Sequence, residues 1–151
     1  MSEHEIRVTW RRAEHATTSG TYSRDHLADY GSDTRIAVSA APDYLGNPAL
    51  ADPEQLLANA LASCHLLYFL ALCEGSGYRV ESYEDRATAR VEKLPEGGFG
   101  VTTITLRPRA VFGGDKQPTA QALHRLHDRA HTGCFIANSI KSDVLIVLEG
   151  D

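Results

Sequence analysis

Residues 52–74 read DPEQLLANALASCHLLYFLALCE, and no helix breaker follows the first turn of this stretch. Asp52 supplies a capping carboxylate, Pro53 suits the first helical position, and Gln55 completes a capping box. Gly75 and Gly77 then supply the stop. We therefore predict a helix of about 21 residues, ~30 Å long. Because apolar side chains surround most of its circumference, we expect burial by a sheet and by a second subunit.

The segments on either side of this helix predict a mixed α+β protein. Two long alternating segments joined by a glycine-rich turn predict a β-hairpin, and a second, amphipathic helix is expected to begin at Pro118. The predicted elements are strands at 6–10 and 35–39, hairpin strands at 78–93 and 99–112 joined through 94–98, a helix at 118–131, a short helical element at 135–140 and a buried last strand at 144–148 that ends at Gly150. Since no repeat or linker interrupts them, residues 1–151 are predicted to form a single domain.

Composition and charge restrict the class of function. The chain of 151 residues is 42% hydrophobic and 23% charged, which is typical of a globular protein. Its 15 basic and 20 acidic residues give a net charge of −5. This balance lacks the excess of positive charge that binds nucleic acid or an anionic membrane. No run approaches the ~18 apolar residues of a membrane span, and the first residues lack a signal-peptide pattern. We therefore expect a cytoplasmic protein with no nucleic-acid or membrane partner.

The chain has three cysteines, and a disulfide framework needs a larger, even number. This count favours a reducing compartment. Cys64 lies in the middle of the long helix, where a cysteine alone is more often core packing than chemistry. Cys134 follows Gly133 and precedes the predicted short helix, whose N-terminus would lower the thiol pKa. Cys73 lies at the helix C-terminus beside Glu74, where the thiolate is disfavoured, so we interpret it as structural.

Histidines offer a second kind of chemistry. His124, His127 and His131 recur at helical spacing and could hold a metal together with Cys134. The alternative, which we prefer, is a solvated helix face, because arginines and an aspartate share the same helix. His65 follows Cys64 directly, so on a helix the two side chains diverge by about 100°, which argues against a cysteine hydrolase dyad.

Two separate motifs then resemble one family. NALASCH at 59–65, which follows Asp52-Pro53-Glu54, and HTGCFIANS at 131–139 are similar to the motifs of the OsmC/Ohr family of hydroperoxide reductases. The predicted order of elements is also that family's order. The resemblance implies an OsmC-like α+β fold, with antiparallel β-sheet wrapped around two central helices in an intertwined homodimer. It further implies cysteine-based reduction of organic, alkyl or fatty-acid hydroperoxides.

The resemblance also implies roles for individual residues. Cys64 would be the peroxidatic cysteine and Cys134 the resolving cysteine, so that a sulfenic acid becomes a disulfide. Glu54 would be the acidic residue of the site, and Arg24 its thiolate-stabilising arginine, with Arg35 as the alternative. The implied reductant is an external dithiol or a lipoylated protein, with no bound cofactor or metal. Where this sequence has Phe135, the organic-hydroperoxide branch usually has proline, so the subfamily stays open.

Helix geometry adds a prediction about quaternary structure. Ten residues separate Glu54 from Cys64, which is ~15 Å along a helix, with the two side chains on different faces. If both serve one site, a second chain must present Glu54, and we predict a homodimer with composite sites. Glu54 could instead simply favour the helix dipole.

The apolar neighbours Leu61, Leu67 and Phe69 are expected to line a pocket for an alkyl chain, although core packing would demand the same residues. The alternative function is a non-catalytic ligand-binding or redox-sensing dimer with the same fold.

Overall fold

The computed structural model describes residues 1–149, and the predicted end of the last strand at Gly150 lies outside them. The chain forms two compact units, residues 1–56 and the residues from 57 onward. In the first unit, strands β1 (Arg7–Thr9), β2 (His26–Asp29) and β3 (Arg35–Val38) form an antiparallel sheet in that order. The predicted strands at 6–10 and 35–39 are confirmed to within one residue at each end. A short 3-10 helix (Pro42–Tyr44) follows.

The long helix, α1 (Pro53–Gly75), begins and ends as predicted. The Asp52 carboxylate accepts a hydrogen bond from the Gln55 N–H at 2.7 Å, and the Gln55 side chain accepts from the Asp52 N–H at 3.1 Å. These reciprocal bonds are the expected capping box. Gly77 has a φ of +73°, and the Tyr78 N–H returns to the Cys73 carbonyl, which closes the C-terminus.

By length and composition α1 could cross a membrane, which corrects the expectation that no such stretch exists. A core helix of a soluble protein has the same properties, and α1 buries Leu61, Phe69 and Cys73 in protein. However, only 28% of its most apolar 18-residue stretch is buried within the chain. Most of its other apolar residues are partly buried, and Leu67 is the large apolar side chain of α1 that is exposed, at 66%.

The predicted hairpin after α1 is interrupted and belongs to two sheets. It contains strands β4 (Arg79–Asp85), β5 (Thr88–Lys93), β6 (Phe99–Leu106) and β7 (Pro108–Gly113). β5 pairs with β6 across the turn at 94–98, whereas β4 pairs with β7 in a separate two-stranded sheet. In a continuous hairpin, the Arg107 N–H would donate to a backbone carbonyl of the opposite strand. Here it donates instead to an Asp85 carboxylate oxygen at 2.7 Å, which accompanies the interruption of the ladder.

The second helix, α2 (Ala120–Gly133), begins two residues later than predicted. Its N-cap is Thr119, whose hydroxyl accepts the Ala122 N–H, so Pro118 precedes the cap. The last strand, β8 (Asp143–Ile146), pairs in parallel with β6 at the edge of its sheet. The prediction that this strand is buried is wrong, because Leu145 is 52% exposed on the outer face of the edge strand.

Two apolar clusters form the core of the second unit. The first joins the N-terminal half of α1 to β6, β8 and the end of α2, and its buried members are Ala58, Leu61, Ile104, Leu106 and Cys134. The second joins the C-terminal half of α1 to α2, β4 and β7, and its buried members are Phe69, Cys73, Leu126 and Ala130. The fold is α+β, with two helices and mainly antiparallel sheets, as predicted.

Candidate active site

Cys64 lies on α1 at the border between its buried and exposed faces. One face is exposed at Asn59, Ser63, Leu67 and Ala71, and the opposite face is buried at Ala58, Leu61, His65, Phe69 and Cys73. Cys64 itself is half-buried and packs against the first cluster. Its thiol can therefore be reached while apolar side chains surround it.

Cys134 is the C-cap of α2 and is fully buried in the same cluster. The predicted helix after it is absent, since residues 135–139 form turns. Burial and, after it, the Cys64 side chain raise the Cys134 pKa, although the Ala137 N–H, 3.4 Å from Sγ, lowers it. The expectation that a helix N-terminus lowers this pKa is therefore wrong, because α2 ends rather than begins at Cys134.

The two thiols that the sequence places 70 residues apart meet in one cluster. Cys64 packs against the buried group that contains Cys134, and its side chain is close enough to influence the Cys134 pKa. The last residue of α2 packs closely against α1, since a Cβ added at Gly133 would lie 2.7 Å from the Tyr68 ring. Only glycine lets the end of α2 approach α1 so closely.

Cys73 is separate from this pair. It lies in the second cluster, and burial raises its pKa to about 11. The prediction that its thiolate is disfavoured is confirmed, although the cause is desolvation rather than the helix dipole.

The histidines differ from the sequence interpretation. His65 on α1 and His127 on α2 are 1% and 2% exposed, and His65 Nε2 lies 2.9 Å from His127 Nδ1. The His127 ring also stacks on Phe69, with 4.2 Å between ring centroids. The interpretation of His127 as part of a solvated face is therefore wrong. Within residues 1–149, no group of three or more His, Cys, Asp or Glu side chains is arranged to hold a metal ion.

Burial keeps both rings neutral. Desolvation, followed by the nearby His131, lowers the His65 pKa to about 4. Desolvation, followed by His65 and His124, lowers the His127 pKa to about 3. One ring must donate and the other accept, so the bond requires at least one neutral imidazole.

The predicted charged residues all lie in the first unit. Arg24 donates to the Thr21 hydroxyl at 3.0 Å and to the Tyr22 carbonyl, and it stacks over the Tyr22 ring. Arg35 instead forms an ion pair with Asp29 at 3.0 Å. Glu54 is half-buried in the first turn of α1. The catalytic roles of Arg24 and Glu54 stay predictions.

The expected alkyl pocket is not formed by the three residues named for it. Leu61 belongs to the first cluster and Phe69 to the second, whereas Leu67 is 66% exposed. A different apolar surface borders the thiols: Tyr68, one turn after Cys64, meets Phe135 edge to face at 5.6 Å, and Phe135 is 71% exposed. The spacing of four between Cys64 and Tyr68 is the sequence signal for this surface.

The fold and the thiol pair together define an α+β protein with two cysteines brought together from its two helices. Residues 46–149 match the sequence model of the family described as OsmC-like protein, so the chain belongs to that family. A solved OsmC-like protein of unknown function from Vibrio cholerae is similar over 98% of this chain and 99% of its own, with 40% identity and a TM-score of 0.91.

Two more distant relatives are also similar. The uncharacterised protein YmaD of Bacillus subtilis is 26% identical over 129 residues, which cover 84% of this chain and 85% of YmaD. A Legionella pneumophila structure named as the organic hydroperoxide resistance protein OsmC has a TM-score of 0.69 and 17% identity, covering 98% of this chain and 96% of its own. At that identity the likeness concerns the fold alone.

Proposed function

We propose that this protein is a thiol peroxidase that reduces organic hydroperoxides, with Cys64 as the attacking cysteine and Cys134 as the resolving cysteine. The observation that carries the proposal is the meeting of these two thiols in one cluster, with Cys64 half-buried and Cys134 fully buried. A peroxide that approaches from solvent meets Cys64 first. The raised pKa of Cys134 fits a thiol that stays protonated until it is needed.

The chemistry balances with these two groups and one external reductant. The Cys64 thiolate attacks the peroxide, so that an S–O bond forms, the O–O bond breaks, and the departing alkoxide takes a proton to become an alcohol. Cys134 then attacks the sulfenic sulfur, so that the S–S bond forms and the S–O bond breaks, and the proton of the Cys134 thiol passes to the departing hydroxide, which leaves as water. The resulting disulfide is reduced by two electrons from an external dithiol or lipoylated partner, with no resident cofactor.

The surroundings of the thiols favour an apolar substrate. The surface formed by Tyr68 and Phe135 borders the pair, and Phe135 is 71% exposed. Such side chains suit an alkyl or fatty-acid body better than hydrogen peroxide. The name of the Legionella neighbour, an organic hydroperoxide resistance protein, supports the same substrate class.

A homodimer completes this proposal. The exposed stripe on α1 carries one large apolar side chain, Leu67, which is 66% exposed and which a second copy would cover. The second copy would also present Glu54 to the thiols, as the helix spacing requires. We propose Arg24 as the arginine that assists the thiolate, because its partners are a hydroxyl, a carbonyl and an aromatic ring, whereas Arg35 is already paired with a carboxylate. We expect the enzyme to act in the cytoplasm, where dithiol reductants are maintained.

Turnover of cumene hydroperoxide with dithiothreitol tests the proposal. Wild-type protein and Cys73→Ala are expected to consume the peroxide, whereas Cys64→Ser is expected to lose turnover. Equal turnover by Cys64→Ser would overturn the proposal.

A second measurement distinguishes the proposed peroxidase from the alternative, a ligand-binding or redox-sensing protein. In Cys134→Ser, an enzyme gives rapid capture of the Cys64 sulfenic acid by a dimedone probe at stoichiometric peroxide. A sensor or binding protein gives slow capture.

A further inference from the structure

The buried histidine pair has no part in the peroxide chemistry above. It joins the two helices that carry the thiols, because His65 directly follows Cys64 on α1 and His127 precedes Cys134 on α2 by seven residues. Seven residues span ~10 Å of helix. The bond therefore crosses from one helix to the other one residue after Cys64 and about two helical turns before Cys134.

The hydrogen bond is directional, whereas the packing around it is not. Along the buried face of α1, Leu61 belongs to the first cluster, Phe69 to the second, and His65 lies between them. Apolar contacts tolerate small rotations and shifts, since burial energy depends on area rather than direction. A hydrogen bond 2.9 Å long between buried nitrogens loses strength quickly when either helix moves.

The tautomers follow from burial. His65 Nδ1 is buried with no hydrogen-bond partner in the described part of the chain. If His127 donated, neutral His65 would carry its proton on this unpartnered nitrogen, and buried orphan N–H groups are rarer than orphan acceptors. We therefore assign the donor as His65 Nε2–H and the acceptor as His127 Nδ1.

We propose that His65 and His127 are positioning residues whose hydrogen bond holds α1 and α2 in the register that lets Cys134 reach a sulfenic acid on Cys64. The inference rests on the function proposed above. It assigns the pair to the second step, in which the S–S bond forms and hydroxide leaves, and not to the attack on peroxide. The two steps can therefore be separated by experiment.

The test uses the double variant His65→Leu/His127→Leu, because replacing both partners of a buried hydrogen bond is tolerated better than replacing one. Quenched-flow mass spectrometry follows the sulfenic acid and the disulfide after one equivalent of cumene hydroperoxide. We expect sulfenic acid formation within about twofold of wild type, and disulfide formation slower by about ten- to a hundredfold, as a displacement of ~1 Å can cause. If disulfide formation is unchanged, or if both steps slow equally, the inference is wrong.

Two further variants distinguish positioning from general damage. His127→Asn places an amide oxygen near the former Nδ1 and is expected to restore most of the disulfide rate. Leu126→Ala, which removes buried packing from the neighbouring position on α2, is expected to destabilise the protein and leave that rate unchanged. If the double-leucine chain does not fold, His65→Met/His127→Met provides the same comparison, because it also removes both partners.

A measurement without peroxide separates this inference from the proposed function. Equilibration with glutathione redox buffers gives the effective concentration of the two thiols for each other. We expect it to fall about tenfold or more in the double variant. An unchanged value overturns the positioning role, even if the wild-type protein shows no turnover of peroxide.

Discussion

Acid should destabilise this protein well before most of its carboxylates titrate. The His65 pKa is about 6.5 in an unfolded chain and about 4 in the folded protein, because burial disfavours the charged ring. Above pH 6.5 neither state holds the proton, so the histidine adds no pH dependence. As the pH falls from 6.5 to about 4, the unfolded chain binds a proton that the folded protein does not, and the free energy of unfolding decreases.

The size of this decrease follows from the gap between the two pKa values. The gap is about 2.5 pH units, and each unit corresponds to about 1.4 kcal/mol, so the loss by pH 4 is roughly 3 kcal/mol. His127, whose folded pKa is about 3, contributes in the same direction. Typical domains have only about 5–15 kcal/mol of stability, so the loss is easily measured.

Urea unfolding followed by far-ultraviolet circular dichroism, at one protein concentration and several pH values from 7.5 to 4.5, measures the effect. The double variant His65→Leu/His127→Leu lacks both rings and is expected to show a much flatter profile between pH 6.5 and 4.5. The same slope in wild type and variant would show that other groups cause the acid sensitivity. A flat wild-type profile would refute the burial argument itself.

Three further outcomes are expected. Leu67→Asp places a charge on the exposed stripe of α1, which we propose as the homodimer interface, so sedimentation should show that the dissociation constant of the proposed dimer rises about a hundredfold or more. A wild-type monomer, or a dimer unchanged in the variant, would show that the stripe is not the interface. Gly133→Ala drives a methyl group against the Tyr68 ring and should lower the free energy of unfolding by about 1–3 kcal/mol, with recovery in Gly133→Ala/Tyr68→Ala. Iodoacetamide at pH 8 should alkylate Cys64 long before Cys73, whose pKa is about 11; faster labelling of Cys73 would contradict its burial.

Features specified by neighbouring residues could be predicted from the sequence. The limits of α1 depend on the Asp52–Gln55 capping box and on glycines just after the helix, all of which are local signals. The family motifs around Cys64 and Cys134 also identified the two thiols that the fold brings together.

Features that depend on contacts between residues far apart in the sequence could not be predicted. The interruption of the hairpin depends on a hydrogen bond between Asp85 and Arg107, which are 22 residues apart. The burial of His127 depends on His65, 62 residues earlier. A signal was nevertheless present, because His127 falls on the same helical stripe as Leu123 and Ala130. The charged residues beside His127 in the sequence favoured the interpretation of a solvated helix face.

The most direct test of the central claim is peptide mass spectrometry of the oxidised protein. After one equivalent of cumene hydroperoxide, wild-type protein should yield a disulfide between the peptides that contain Cys64 and Cys134, and Cys134→Ser should instead accumulate a sulfenic acid on Cys64. If both cysteines remain reduced in the wild type while the peroxide persists, the two thiols do not form a peroxidase site.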